Sequence, residues 1–340
     1  MDHATQPVAV FGATGAQGGP VATALLDAGR PVRAIARTEE KLGDLKARGA
    51  DVVALDLADA GAVEWALEGV GGAFVHLPFM PVMELMEAWA GSVGKALVGA
   101  GVPLAVFSSS GPVPTEDVGM VTFDTKAAAD RTLRASGAPI VFLEPTVYLG
   151  NTSAPFSAPS VFRDGEMRYP PVPSEHRLAW ISAEDQASLA IAALGRPDLV
   201  GRTFRIGERL TGPELAGGVG AGLGRAVRHA PMDAEEFGAS VVPLLGEQAG
   251  QILAADYAVL AARPDALRLD ADTGEIHREL GVPLTPVAEW ARTQDWEGAA
   301  AGPPAVDRSA AAEAPGGAAL RSSRPNQPGR PSRTTRPLNE

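Results

Sequence analysis

Along the first 150 positions, short apolar runs alternate with longer stretches in which apolar residues recur at helical spacing. The runs fall at 8–11, 32–36, 52–55, 73–77, 104–107 and 140–143 and read as strands. The helical stretches lie near 20–28, 39–48, 61–67, 82–100 and 122–135. This rhythm predicts an α/β fold built on a parallel, doubly wound sheet. Such sheets bind ligands outside the carboxyl ends of their strands. The loops to watch are therefore 12–18, 37–41, 56–57, 76–81, 108–114 and 144–151.

After Asn151 the rhythm breaks. Residues 152–176 are rich in Pro and Ser with scattered aromatics, and read as a loop-rich segment able to cover a pocket. A helix is expected over 183–194, a strand over 203–206, and a helix N-capped by Thr211 with Pro213 in its first turn. A short strand at 227–231 and helices near 234–245, 248–262 and 287–293 complete the pattern. From about Gly298 the chain turns to Ala, Gly, Pro, Ser and Arg, with no aromatic residue. Such a segment buries too little apolar surface to offset its chain entropy, so 298–340 is expected to be a disordered tail.

Composition narrows the function. The 340 residues carry a net charge of −12, and six of the 29 basic residues are arginines of the segment 301–340. A body this acidic is a poor nucleic-acid binder, because phosphate contacts need a basic patch. There are no cysteines, which excludes disulfides, thiolate metal sites and a Cys nucleophile. No metal site is expected. No signal-peptide pattern and no bilayer-length apolar run are evident, so a cytoplasmic protein without membrane contact is expected.

The chemistry begins at the first strand. Gly12, Gly15 and Gly18 follow it at i, i+3 and i+6 and lead into a helix. A strand, a glycine turn and a helix N-terminus make an anion cradle, because first-turn N–H groups and the helix dipole favour a pyrophosphate. The context, more than the glycines alone, points to a dinucleotide. Arg37 ends the second strand, where an NAD-selective site would place Asp or Glu. A guanidinium there suits a 2′-phosphate, with Lys41 one helical turn on as a second charge, and NADP(H) is expected over NAD(H). The plainer reading pairs Arg37 with Glu40, and Glu39 is within reach of a ribose. Asp56 has two readings of equal standing, as acceptor for an adenine amino group or as a turn cap. His76 ends strand four, either as a ribose donor or acid or, as for most lone histidines, as a structural residue.

Val-Phe-Gly-Ala-Thr-Gly-Ala-Gln-Gly at 10–18 resembles the fingerprint of atypical short-chain dehydrogenases, in particular the NmrA-like family. Val-Arg-Ala-Ile-Ala-Arg at 32–37, Gly-Ala-Asp-Val-Val-Ala-Leu-Asp-Leu at 49–57, the segment 126–137, Glu-Pro-Thr-Val-Tyr-Leu-Gly-Asn at 144–151 and Leu-Thr-Gly-Pro-Glu-Leu at 210–215 resemble it in order. The likeness covers about 7–296. It implies a Rossmann domain over 1–150 and a smaller α+β substrate domain over 151–297, with elements near 180–207 returning to the first. It also implies NADP(H), and adds Thr14, Gln17, Leu57 and Leu77 to the cofactor-lining positions.

Classical short-chain dehydrogenases use a Tyr-x-x-x-Lys pair and a preceding Ser. By resemblance Lys126 takes the lysine position and Ser109 the serine, while the tyrosine position is Thr122, whose hydroxyl is far too weak an acid. Tyr148 lies in an expected site loop, as a phenol from another direction or as a packing residue. Lys126 is either a solvated lysine or, within the family segment, a contact to the nicotinamide ribose. Glu144 stands where relatives often have Arg. The expected function is an NADPH-dependent oxidoreductase that passes hydride to a small apolar or aromatic carbonyl, enone or quinone. The alternative is a non-catalytic NADP(H) sensor acting through a protein partner.

Overall fold

The structure, a computed structural model, describes residues 5–263, 267 and 272–301. The first half runs β1 (Val8–Phe11), α1 (Gly18–Asp27), β2 (Val32–Ala36), α2 (Gly43–Ala47), β3 (Asp51–Ala54), α3 (Ala60–Leu67), β4 (Gly72–His76), α4 (Met83–Gly99), β5 (Ala105–Ser108), α5 (Val121–Ala135) and β6 (Ile140–Pro145). Then come β7 (Val147–Tyr148), β8 (Glu166–Met167), β9 (Leu178–Ile181), α6 (Ala183–Ala193), β10 (Thr203–Ile206), β11 (Glu208–Leu210), α7 (Gly212–Leu223) and β12 (Arg228–His229). The last helices are α8 (Ala234–Leu245), α9 (Glu247–Ala262), α10 (Glu275–Leu280), α11 (Val287–Arg292) and α12 (Trp296–Ala301).

Seven strands form one sheet in the order β10-β6-β5-β4-β1-β2-β3, and every neighbouring pair is parallel. Both faces are covered, which is why the strands read as unbroken apolar runs. Alternate residues of β1 divide between them: Val8 and Val10 meet α1, α6 and α10, whereas Ala9 and Phe11 meet α3, α4 and α5. The strand order reverses between β1 and β4, which brings Gly12 and His76 side by side at the crevice where such sheets bind ligands.

Chain beyond β6 builds a third core. The small sheet β11-β9-β7 frames it, and Leu215, Phe237, Trp290 and Trp296 fill it. The N-cap expected at α7 is present as a full capping box, with Thr211 and Glu214 bonding each other's backbone. None of residues 152–176 lines the two cavities at the strand ends, and much of the segment packs into this core. Val161, Met167 and Val172 are buried in this core, and Phe156 packs edge-on against Tyr169 and Phe237. The expected tail also begins too early. Residues 298–301 belong to α12, held by Trp296, which packs on Trp290 and donates its indole N–H to the Ala291 carbonyl at 2.7 Å. The rest of that expected tail, 302–340, lies outside the described residues. The described residues form a single compact unit. Among the described residues no helix is long and apolar enough to cross a membrane.

Candidate functional site

Gly12 leaves β1 in the left-handed region at φ 66°, and its carbonyl accepts from Gly15 N–H at 2.8 Å, closing the turn. Gly18 opens α1 so close to the strand that a Cβ would lie 2.5 Å from the Gly12 oxygen and 2.7 Å from that of Phe11. No side chain caps α1, and its first turn holds no acidic residue. Asp59 caps α3, Ser182 caps α6 and Asp233 caps α8, while α4 and α5, whose N-cap residues make no side-chain cap, carry Glu84 and Asp124 in their first turns. The N-terminus of α1 thus offers its positive dipole end to an anion, with Gly19 N–H already given to the Gly15 carbonyl at 2.9 Å and no N–H at Pro20. The turn fits a pyrophosphate.

Beyond the turn lies a cleft of about 310 Å³ whose lining includes Gly12, Thr14, Gly15, Arg37, Asp56, Leu57 and His76. Arg37 is exposed at the end of β2 and makes no hydrogen bond or ion pair among the described residues, so the expected alternative pairing with Glu40 is not formed. Glu39 instead pairs with Lys46 at 3.3 Å. Lys41 is exposed and does not line the cleft. Asp56 caps the next turn, accepting from Ala58 N–H at 3.0 Å, while also facing the cleft.

A second cavity, about 470 Å³, adjoins the first across His76. Leu77, Phe79, Met86, Phe107 and Leu245 give it apolar walls, and Lys126 and Tyr148 line it too. Leu245, at the end of α8, and Asn151 also line this cavity. Lys126 is half-buried as a side chain, but its ammonium sits in the cavity wall and donates to the Ser110 carbonyl at 2.9 Å. Gly111 makes room for it, since a Cβ there would fall 2.6 Å from Nζ. Desolvation pushes the Lys126 pKa down to about 8, and the negative charge of Asp256 acts the other way. Asp256, buried on α9, accepts from Thr122 N–H at 2.9 Å. Its carboxyl is raised by burial, with the Thr122 hydrogen bonds and Lys126 opposing.

Ser109 uses its hydroxyl on the carbonyls of Gly111, at 2.6 Å, and Leu143, at 3.3 Å. Its neighbours on either side face the other way, into a buried polar chain. Tyr148 O–H donates to Gln186 Oε1 at 2.5 Å, and Gln186 Nε2 donates to Gln17 Oε1 at 3.3 Å. Ser108 Oγ also donates to Gln17 Oε1, at 2.8 Å. Gln17 Nε2 donates to Ser110 Oγ at 2.6 Å, and Ser110 Oγ lies 2.9 Å from His76 Nδ1. Ser110 is the one non-glycine residue at positive φ, 61°, among the described residues. Burial, and then the charge of Lys126, lower the His76 pKa to about 4, so the ring is neutral at pH 7. Burial pushes the Tyr148 phenol well above its ordinary range. Glu144 lies outside this group and pairs with Arg205 at 3.1 Å, tying β6 to β10. Among the described residues no three metal-ligating side chains cluster.

Ser108, Ser110, Gln186, Asp256 and Leu245 belong to the site and are absent from the sequence-based set. Only the Ser-Ser-Ser run at 108–110, inside a predicted site loop, signals any of them in advance.

A model of the NmrA-like family matches residues 4–290. The chain belongs to the NmrA-like family. Among curated proteins it is 28% identical over 289 residues to an NAD(P)H azoreductase of Xenophilus azovorans, covering 84% of this chain and 96% of that one. It is 32% identical over 227 residues to a (4-alkanoyl-5-oxo-2,5-dihydrofuran-3-yl)methyl phosphate reductase of Streptomyces griseus, covering 65% of this chain and 75% of the other. Among solved structures it shares its fold with the triphenylmethane reductase of Citrobacter sp. complexed with NADP(H), at a TM-score of 0.67 and 21% identity over 84% of this chain and 99% of that one.

Proposed function

We propose that this NmrA-like protein is an NADPH-dependent oxidoreductase acting on a small apolar or aromatic carbonyl, enone or quinone. The observation that carries the reading is the continuity of an uncapped phosphate cradle with an apolar cavity holding one ammonium, Lys126. The azoreductase and phosphate-reductase relatives support a reductive chemistry. When bound, the nicotinamide supplies the hydride.

This chain's residues do the rest. Gly12, Gly15 and the first turn of α1 hold the pyrophosphate. Arg37 pairs with a 2′-phosphate, its guanidinium being unengaged and beside the cleft. Lys126 holds the nicotinamide ribose and places positive charge where negative charge develops on the substrate oxygen. The buried side chains of Leu77, Met86 and Phe107 keep water from the cavity floor, so that charge is felt in a medium of low polarity. In this reading the chain from 151 onward is the substrate half, reaching the cavity through Asn151 and Leu245.

The test is a titration with NADPH and NADH, followed by a reductase screen over quinones, enones, ketones and azo dyes. Arg37→Ala should lower the NADPH-over-NADH preference about ten- to a hundredfold, the worth of one charge-assisted contact. Lys126→Ala should lower kcat more than it raises KM. An affinity ratio unmoved by Arg37→Ala overturns the 2′-phosphate assignment. Tight NADPH binding with no turnover across the panel overturns the enzyme.

A further inference from the structure

The chain Tyr148–Gln186–Gln17–Ser110–His76 draws on five elements or their ends: β7, α6, the turn before α1, the loop after β5, and β4. Its polarity can be read from one end to the other. Each amide has one acceptor oxygen and one donor nitrogen, and each hydroxyl has one proton. Gln186 Oε1 takes the Tyr148 proton, which leaves Gln186 Nε2 to donate onward. Gln17 Oε1 takes that donor and the Ser108 hydroxyl, which leaves Gln17 Nε2 to donate to Ser110 Oγ. Ser110, already an acceptor from Gln17, keeps its single proton to give, and His76 Nδ1 lies 2.9 Å from its oxygen, so the chain favours a donor hydroxyl and an accepting Nδ1. With Nδ1 accepting, a neutral imidazole carries its proton on Nε2.

The other edge of the ring faces the cradle. Cδ2, bonded to Nε2, lies 3.4 Å from where a Gly12 Cβ would be, and the Ser108 backbone is the ring's other polar neighbour. We propose that His76 is a neutral side-chain donor of the cradle, its Nε2–H fixed toward a dinucleotide oxygen by the one-way chain that begins at Tyr148. Gln186 and Ser110 are positioning residues: they act on the ligand through His76. The same polarity commits the Tyr148 proton to Gln186, so that toward the cavity the phenol is an acceptor. The positive φ of Ser110 is the backbone cost of aiming its hydroxyl at His76 while its carbonyl receives Lys126. The inference rests on the dinucleotide reading of the site.

The experiment reads the tautomer directly. Long-range proton–nitrogen NMR of the 15N-histidine-labelled full chain separates its five histidines, and His76 is assigned by the signals missing in His76→Asn. In the ligand-free protein His76 should be the Nε2–H tautomer. Gln186→Met cuts the chain without touching the cradle. It should give a mixture of tautomers and weaken NADPH binding about threefold to tenfold, the range of one neutral hydrogen bond. Tyr148→Phe, a smaller perturbation, should move both readouts in the same direction and serves if Gln186→Met does not fold. An Nδ1–H tautomer in the wild type overturns the proposal. So does a loss of affinity in both variants with the tautomer unchanged, which would make the chain merely structural. Because the tautomer is read without ligand, these failures are separate from a failure to bind NADPH, which would overturn the reductase reading instead.

Discussion

Lys126 is the residue on which burial, charge and ligand chemistry meet. Its pKa of about 8 means that in the free protein the ammonium loses its proton as pH rises past that value. A ligand oxygen bound to the ammonium favours the charged form and lifts the pKa above 8 in the complex. Affinity should then be flat below about pH 8 and fall as pH rises from there toward the pKa of the complex. Fluorescence titration of NADPH between about pH 6.5 and 9.5 checks this, and Lys126→Met should remove the slope. Gly111→Ala tests the same contact from the other side. Its methyl would come 2.6 Å from Nζ, the movable end of a long side chain, so the fold should survive. NADPH affinity should fall about as far as in Lys126→Met while the Tm stays close to wild type.

At the scale of an element, α1 is the instructive helix. It gives up a side-chain cap, since Gln17 at its N-cap turns instead toward Ser110, Ser108 and Gln186. One residue thus leaves the cradle open to an anion and joins α1 to β5 and α6. Gly18 fixes how closely the helix approaches β1. In Gly18→Ala the new carbon would meet two backbone oxygens that cannot turn away. The cost should be on the order of 1–3 kcal/mol or more, lowering Tm by roughly 3–10 °C in a thermal melt. Binding should fall further than this loss explains, because the turn must open.

Across the whole molecule, the third core steers the first site. Asp256 is carried on α9, yet it receives the Thr122 amide at the start of α5 and faces Lys126. Asp256→Asn keeps an acceptor and removes a charge. The Lys126 pKa should drop further below 8, and the midpoint of the affinity profile should move to lower pH with the fold intact. Asp256→Ala leaves the Thr122 amide unpaired and should in addition cost about 1–3 kcal/mol in denaturant unfolding. Leu245, at the end of α8, lines the apolar cavity from the same half of the molecule.

The sequence by itself determined what depends on neighbours along the chain. Apolar runs and helical spacing set the strands and helices of the parallel sheet. The glycines at 12, 15 and 18 set the cradle, and Arg37 at a strand end set a cation beside it. Tertiary structure decided what depends on distant partners. Gln186 meets Gln17 across 169 positions, and Asp256 meets Thr122 across 134. No local periodicity records such pairs, because the same Gln or Asp on a helix reads as a solvated residue until packing removes the water. The choice between Ser109 and its neighbours is of the same kind. The chain leaves β5 after Ser108 and turns through Ser110 at φ 61°, so one step along it separates a hydroxyl bonded to backbone carbonyls from two that face His76 and Gln17.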